Sequence, residues 1–218
     1  MTILHPIEQC GGLASALSPE PLTGQRGIVF ILGAPRSGTS QLGKLFDSHP
    51  AVIYRHEPDA VLRPTGLPWL CSAEDIPHHV DATRCYVARL MSVRQLKAFG
   101  TRPVFAKPFQ PFAAPLVRRA LAFGLRGAES LMPRAVWPKR VAIPDLIRGD
   151  AAGLTYVIKS VSLLGNAALL ARALPKSRII AIFRHPCGQV ASQKRGSRIR
   201  TMTGGMFGSG VLATPRAR

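Results

Sequence analysis

The sequence predicts an α/β fold of three layers, with a mostly parallel central sheet and a P-loop-like strand–loop–helix near its start. Three observations carry that expectation. Short, continuous apolar runs rich in β-branched residues recur at 27–32, 154–159 and 177–183, the pattern of strands buried on both faces. Segments of helical periodicity stand between them. The first run ends at Gly33, with Gly38 a short loop away and a helical pattern directly after it; this context gives a glycine loop its meaning as an anion cradle.

Taken in order, residues 1–26 read as an irregular lead-in broken by Gly11, Gly12, Pro19 and Pro21. Gly27 to Leu32 is the first strand. Thr39 to Asp47 is a helix with Leu42, Leu45 and Phe46 on one face. A second short strand, 51–54, stands in a stretch interrupted by Pro50, Pro58, Pro64 and Pro68. Residues 73–99 are largely helical in pattern. Helices are expected around 112–125, and an extended or mobile stretch near 132–150. Leu154 to Lys159 is a buried strand, Leu163 to Leu174 a helix stopped by Pro175, and Ser177 to Phe183 the cleanest strand in the chain. A helix begins at Cys187. The resulting division is a lead-in at 1–26, one domain at 27–195 and an irregular tail at 196–218.

The chain has 218 residues, of which 46% are hydrophobic, enough for a sizeable core and against global disorder. Its 29 Lys+Arg against 11 Asp+Glu give a net charge of +18, which points to an anionic partner. The basic residues are spread along the chain, without a block or an aromatic-interleaved motif, so nucleic acid is not the expected partner. The wealth of Arg, Ala, Gly and Pro is also what a high-GC genome yields, which weakens charge as a clue. Cys10, Cys71, Cys85 and Cys187 form no CxxC pair and no zinc spacing, so free thiols and no metal are expected. No signal peptide and no run long enough for a membrane helix is evident. A cytoplasmic location without a transmembrane segment is the expectation.

The glycine loop carries the chemistry. Gly33 and Gly38 keep the Walker spacing and Ser40 holds the Ser/Thr place, but Thr39 stands where the lysine belongs. The cation lies inside the loop instead, at Arg36. Backbone N–H groups and a helix N-terminus can still converge on an anion. The lysine that reaches a triphosphate is missing, which argues against an ATPase and leaves a P-loop nucleotide kinase as a weaker alternative.

Pro35-Arg36-Ser37-Gly38-Thr39-Ser40 resembles the phosphosulfate loop of the sulfotransferases, which use 3′-phosphoadenosine 5′-phosphosulfate (PAPS). A second stretch, a strand ending at Arg184 with Ser192 eight residues later, is similar to the family's 3′-phosphate motif. The resemblance covers 27–60 and 154–195. It implies that Arg36, Ser37, Gly38, Thr39, Ser40, Arg184 and Ser192 bind PAPS. It also implies that Glu57 acts as base, as in the branch with tyrosylprotein and bacterial sulfotransferases, and that Lys159 faces the donor beside Arg36. The catalytic group would then be Glu57, Arg36 and Lys159, moving a sulfuryl group to a hydroxyl or amine of a small-molecule, glycan or lipid acceptor, with no metal.

His185 departs from the family's usual Asp or Asn. The tail after Ser192 is shorter than in family members, which leaves as an alternative a truncated copy that binds nucleotide with impaired transfer or none. The residues themselves leave other readings open. Glu57 could pair with an arginine, His56 could be a rival base or a turn residue, Lys159 a solvated strand end, and Ser192 a plain helix residue.

Overall fold

The computed structural model describes residues 27–64, 66–100, 103–131, 142–148 and 153–198. Strands β1 (Ile28–Gly33), β2 (Val52–His56), β3 (Thr155–Ser160) and β4 (Arg178–Ile182) form one sheet in the order β2-β3-β1-β4. Every pairing is parallel. The helices are α1 (Thr39–Ser48), α2 (Ile76–Ser92), α3 (Leu96–Phe99), α4 (Ala114–Leu131), α5 (Ala167–Ala173) and α6 (Pro186–Arg198), with 3₁₀ turns at Pro58–Ala60 and Leu164–Asn166.

Alternation along the central strands builds the layers. Ile28, Phe30 and Leu32 of β1 and Tyr156 and Ile158 of β3 face one side, where they meet Tyr86, Val87 and Leu90 of α2 and Leu170 and Ala173 of α5. Val29, Ile31 and Val157 face the other side, where Leu42 and Phe46 of α1 pack on them. Helices therefore cover both faces, the three-layer α/β arrangement that the buried runs predict. All six residues of β1 are buried. This is why its sequence is a continuous apolar run rather than an alternating one.

Two predicted helices are interrupted, for local reasons. The 73–99 pattern stops at Ser92, Val93 is extended, and Gln95 forms an antiparallel bridge with Ala142. The predicted 163–174 helix starts as a 3₁₀ turn. There the Ser160 hydroxyl accepts the N–H of Ser162 and of Leu163 at 3.1 and 3.0 Å and so holds the chain in a turn before α5 can begin. The expected lead-in, the segment 132–141 and the tail after 198 lie outside the described residues; 142–148 holds no strand or helix beyond the bridge.

The two sheet edges differ. On the β2 edge Arg55, 3% exposed, donates both terminal nitrogens to Asp145 at 2.9 and 2.6 Å and its Nε to the Met91 carbonyl at 2.9 Å. Such a fork-on-carboxylate pair satisfies both partners out of water. β4, the cleanest strand by sequence, is the most exposed of the four, with Arg178 and Ala181 open to solvent.

Candidate functional site

Because all four strands run the same way, their C-terminal ends share one edge of the sheet. Gly33 pairs with Ile182, Leu32 with Ser160, and His56 with Lys159. The connection after β1 crosses one face through α1, and the connection after β3 crosses the other through α5. Neighbouring strands whose connections diverge open a crevice at their carboxyl ends, the usual ligand position in such sheets.

The glycine loop lies in that crevice. A Cβ on Gly33 would come within 2.7 Å of the Ile182 carbonyl oxygen and 2.9 Å of Ser37 Oγ, so only glycine fits. Arg36 (φ 68°) and Gly38 (φ 108°) take left-handed conformations, costly for the arginine and cheap for the glycine. The N–H of Ser37 donates to the Ala34 carbonyl at 3.1 Å and closes the turn. Gly38 is the N-cap of α1, so the N–H groups of Thr39 and Ser40 open the helix without intrahelical acceptors. Thr39 is buried, while Arg36 and Ser40 are exposed. Ser37 Oγ is buried and has no hydrogen-bond partner, which is unusual for a buried hydroxyl.

The second sequence motif reaches this same loop. Arg184, just past β4, donates its Nη1 to the Arg36 carbonyl at 3.1 Å. Arg36 in turn donates Nε to the hydroxyl of Ser192 on α6 at 3.0 Å, and Gln189 Nε2 approaches the Pro35 carbonyl at 3.4 Å. Ser192 is buried, so it is not a plain outward-facing helix residue. Stretches about 150 positions apart in the chain thus join as one cradle.

Glu57 stands on the other side, directly after β2, with a left-handed backbone (φ 45°). Its N–H donates to the Lys159 carbonyl at 2.8 Å, carrying the parallel ladder one residue past the strand. Its carboxylate is held at Oε1 by Lys159 Nζ and at Oε2 by Lys97 Nζ, 3.1 Å away. The partners are lysines, not the arginines that the basic composition suggested. Lys159 is 2% exposed, so it is no solvated strand end. Burial pulls the Glu57 carboxyl upward, but the two lysines outweigh it and hold the pKa at about 2. Burial pushes the Lys159 ammonium down, and Glu57 opposes that shift. His56 is half-buried rather than a surface turn residue, with Nδ1 3.0 Å from the Tyr54 hydroxyl. Burial, then the charge of Lys159, lowers its pKa to about 4, so the ring is neutral at physiological pH.

Three groups here were not found from sequence. Lys97 comes from α3, which carries no motif. Asp59 is buried, accepts the Ser160 hydroxyl at 2.9 Å through Oδ2, and leaves Oδ1 without a partner; burial raises its pKa. Ser160 thereby ties the turn at Pro58–Ala60 to the end of β3. The only sequence signal was position: Asp59 and Ser160 sit two and one residues past Glu57 and Lys159.

The crevice therefore offers helix-start amides, an unpartnered serine hydroxyl, two exposed guanidinium groups and a carboxylate–ammonium pair whose ammonium is buried and whose carboxylate is half-buried. The first three suit a phosphate-bearing ligand. No curated protein matches the chain. The family model described as the sulfotransferase family matches residues 29–206, a span that contains β2, β3, β4 and all of β1 but Ile28, with the glycine loop and both sides of the crevice. The chain belongs to the sulfotransferase family.

Proposed function

We propose that the chain takes the sulfuryl group of PAPS to a hydroxyl or amine acceptor, using the Glu-base arrangement. The observation that carries this reading is the single cradle made by Arg36, Ser192 and Arg184. Ser37, Gly38, Thr39 and Ser40 would hold the 5′-phosphate through amides and hydroxyls. Arg184 and Ser192 would hold the 3′-phosphate. PAPS, once bound, supplies an activated sulfur whose leaving group is adenosine 3′,5′-bisphosphate.

The residues act by charge placement. A bond forms from the acceptor oxygen or nitrogen to sulfur, the bond from sulfur to the bridging phosphate oxygen breaks, and the acceptor proton goes to Glu57. Arg36 and Lys159 offset the negative charge that gathers on the departing oxygen. Glu57 is ionised well below neutral pH, the form that accepts a proton; held by Lys159 and Lys97 it is a weak base, and its basicity would rise were Lys159 to turn from the carboxylate toward the donor. Thr39, buried at the place of a Walker lysine, supplies no cation there, which weighs against the nucleotide-kinase reading.

The exposure of β4 and Arg184 favours a second reading, a family member that binds the nucleotide and transfers little. One pair of measurements separates the two. Immobilised adenosine 3′,5′-bisphosphate should retain the protein and release Arg184→Ala; equal retention of the variant sinks the 3′-phosphate assignment. Labelled PAPS offered with phenols, sugars and lipids should then give sulfated product, lost in Glu57→Gln at a temperature where that variant is still retained. Retention without product establishes the second reading.

A further inference from the structure

The glycine loop and Glu57 do not follow neighbouring strands. In the order β2-β3-β1-β4, the loop leaves β1 and Glu57 leaves β2, with β3 between them. A base must stand within hydrogen-bond reach of the proton it takes, and a displacement of about 1 Å costs roughly 100-fold in rate. The place of Glu57 must therefore be referred to β1 across β3. The backbone ladder ends at this point, with the Glu57 N–H on the Lys159 carbonyl at 2.8 Å. Glu57 is left-handed there (φ 45°), a conformation that a residue with a side chain keeps only where its surroundings over-determine it.

Asp59 and Ser160 supply that hold. Asp59 is 3% exposed and Ser160 fully buried. Ser160 ends β3 in register with Leu32 of β1. A serine hydroxyl has one proton and two lone pairs. Both lone pairs are taken, by the N–H groups of Ser162 and Leu163 at 3.1 and 3.0 Å. The proton is thereby directed to Asp59 Oδ2 at 2.9 Å, and without that acceptor it would be left buried and unpaired, which is costly. Asp59 is thus tied to a point on β3 that is itself fixed to β1. The tie reaches Glu57 through one short turn, closed by the Ala60 N–H on the Glu57 carbonyl at 3.0 Å.

We infer that Asp59, acting through Ser160, is a positioning residue that keeps Glu57 against Lys159 and at a set place beside the glycine loop, a role in transfer that rests on Glu57 being the base. The role asks for an acceptor oxygen at this point and not for a charge. Charge is the rival explanation, because the Asp59 carboxylate also supports the Lys159 ammonium.

Three variants of the full chain separate position from charge. Asp59→Ala removes both, Asp59→Glu keeps the charge but displaces the oxygen by one methylene, and Asp59→Asn keeps the oxygen and drops the charge. With PAPS and an acceptor, kcat should fall roughly 10- to 100-fold in Asp59→Ala and Asp59→Glu and be rescued to within about threefold of wild type in Asp59→Asn. Affinity for adenosine 3′,5′-bisphosphate should stay unchanged in all three, because Arg36, Arg184 and Ser192 are not touched. A second readout needs no turnover. In protein carrying isotope-labelled glutamate, the Glu57 carboxyl, identified by NMR from its absence in Glu57→Gln, should titrate at about 2 in wild type and stay there in Asp59→Asn. In Asp59→Ala and Asp59→Glu it should rise toward the ordinary carboxylate range, as the hold of Lys159 is lost.

An active Asp59→Glu beside an inactive Asp59→Asn overturns the proposal in favour of charge. A fall in bisphosphate affinity that parallels the fall in kcat overturns it too, since Asp59 would then support the fold at large. If Asp59→Ala does not fold, the Asn and Glu variants decide by the same criteria. If wild type gives no product with any acceptor, the transfer reading fails by itself, and the titration decides the tie: a rise in Asp59→Glu but not in Asp59→Asn upholds it, and the same titration in every protein overturns it.

Discussion

On the β2–β3 side of the crevice, Lys159 and Asp59 are buried and Glu57 is half-buried, and all three are already engaged with one another or with Ser160. On the β1–β4 side, Arg36 and Arg184 stand in solvent, joined only by single hydrogen bonds to Ser192 and to a backbone carbonyl. The same sheet edge thus carries two kinds of polar group. The dry side has its electrostatics preset by folding and would lose stability if one member were removed. The wet side has little folding energy invested in its charges, which remain available to a ligand. A substitution should therefore be read differently on each side: by melting on the first, by nucleotide affinity on the second.

The largest expected effect is on the dry side. Glu57→Gln strips a buried lysine of its main counter-charge, a change that costs on the order of 3–5 kcal/mol when one member of a buried pair is removed. Chemical denaturation should show that loss, and Glu57→Gln/Lys159→Met should recover much of it, since no unpaired charge is left. A single variant as stable as wild type would mean that Lys97 or water compensates, and the contrast between the two sides would collapse.

Arg184→Ala tests the wet side. Because the side chain is exposed, stability should change by no more than about 0.5 kcal/mol. Affinity for adenosine 3′,5′-bisphosphate should fall by about 1.5–3 kcal/mol, the range for hydrogen bonds to charged groups, or roughly 10- to 150-fold by titration calorimetry. If the melting temperature falls instead, Arg184 is a structural clamp on the loop. Ser192→Ala lies between the two sides in kind. It is buried but its partner is exposed, so about 1 kcal/mol should be lost, visible as a roughly fivefold weaker nucleotide or a small loss in stability.

How much of this could be read beforehand follows the same division. The wet side was legible because its residues sit in local patterns: a glycine loop between strand and helix, and an arginine at a strand end with a serine two helical turns on. The strands were legible because burial on both faces leaves apolar runs. What the sequence hid depends on contacts between distant segments. Lys97 meets Glu57 only because α3 folds back on β2, and nothing at 96–99 announces it. Asp145 closes the β2 edge from a stretch of weak periodicity. For α4 a helix was expected around 112–125, but the periodicity there was too weak to say which face turns inward, and Arg118 and Arg126 reach Asp145 and the Gly100 carbonyl from it. That β4 is both the cleanest strand and the least covered shows the limit of composition: apolar residues mark a strand, not what packs on it.

The smallest expected effect joins dry-side electrostatics to pH. His56 is faced by Tyr54, Glu57, Lys159, Lys97 and Lys44, and burial with the nearby lysines lowers its pKa from 6.5 to about 4. The unfolded chain therefore binds more protons at this ring between those two values, so its contribution to stability is present above pH 6.5 and is lost as pH falls toward 4. Between pH 8 and pH 6 the loss is about 0.8 kcal/mol by linkage, and Glu57, ionised down to about pH 2, adds nothing in that window. Denaturation curves at the two pH values, for wild type and for His56→Asn, isolate the ring from every other titrating group: the difference between the two proteins should shrink by that amount at pH 6. A difference that stays constant would show that the ring is protonated in the fold as readily as in the open chain. His56 would then have to be counted with the solvent-facing groups of Arg36 and Arg184, and the boundary between the two sides would run between β2 and β3 rather than between β3 and β1.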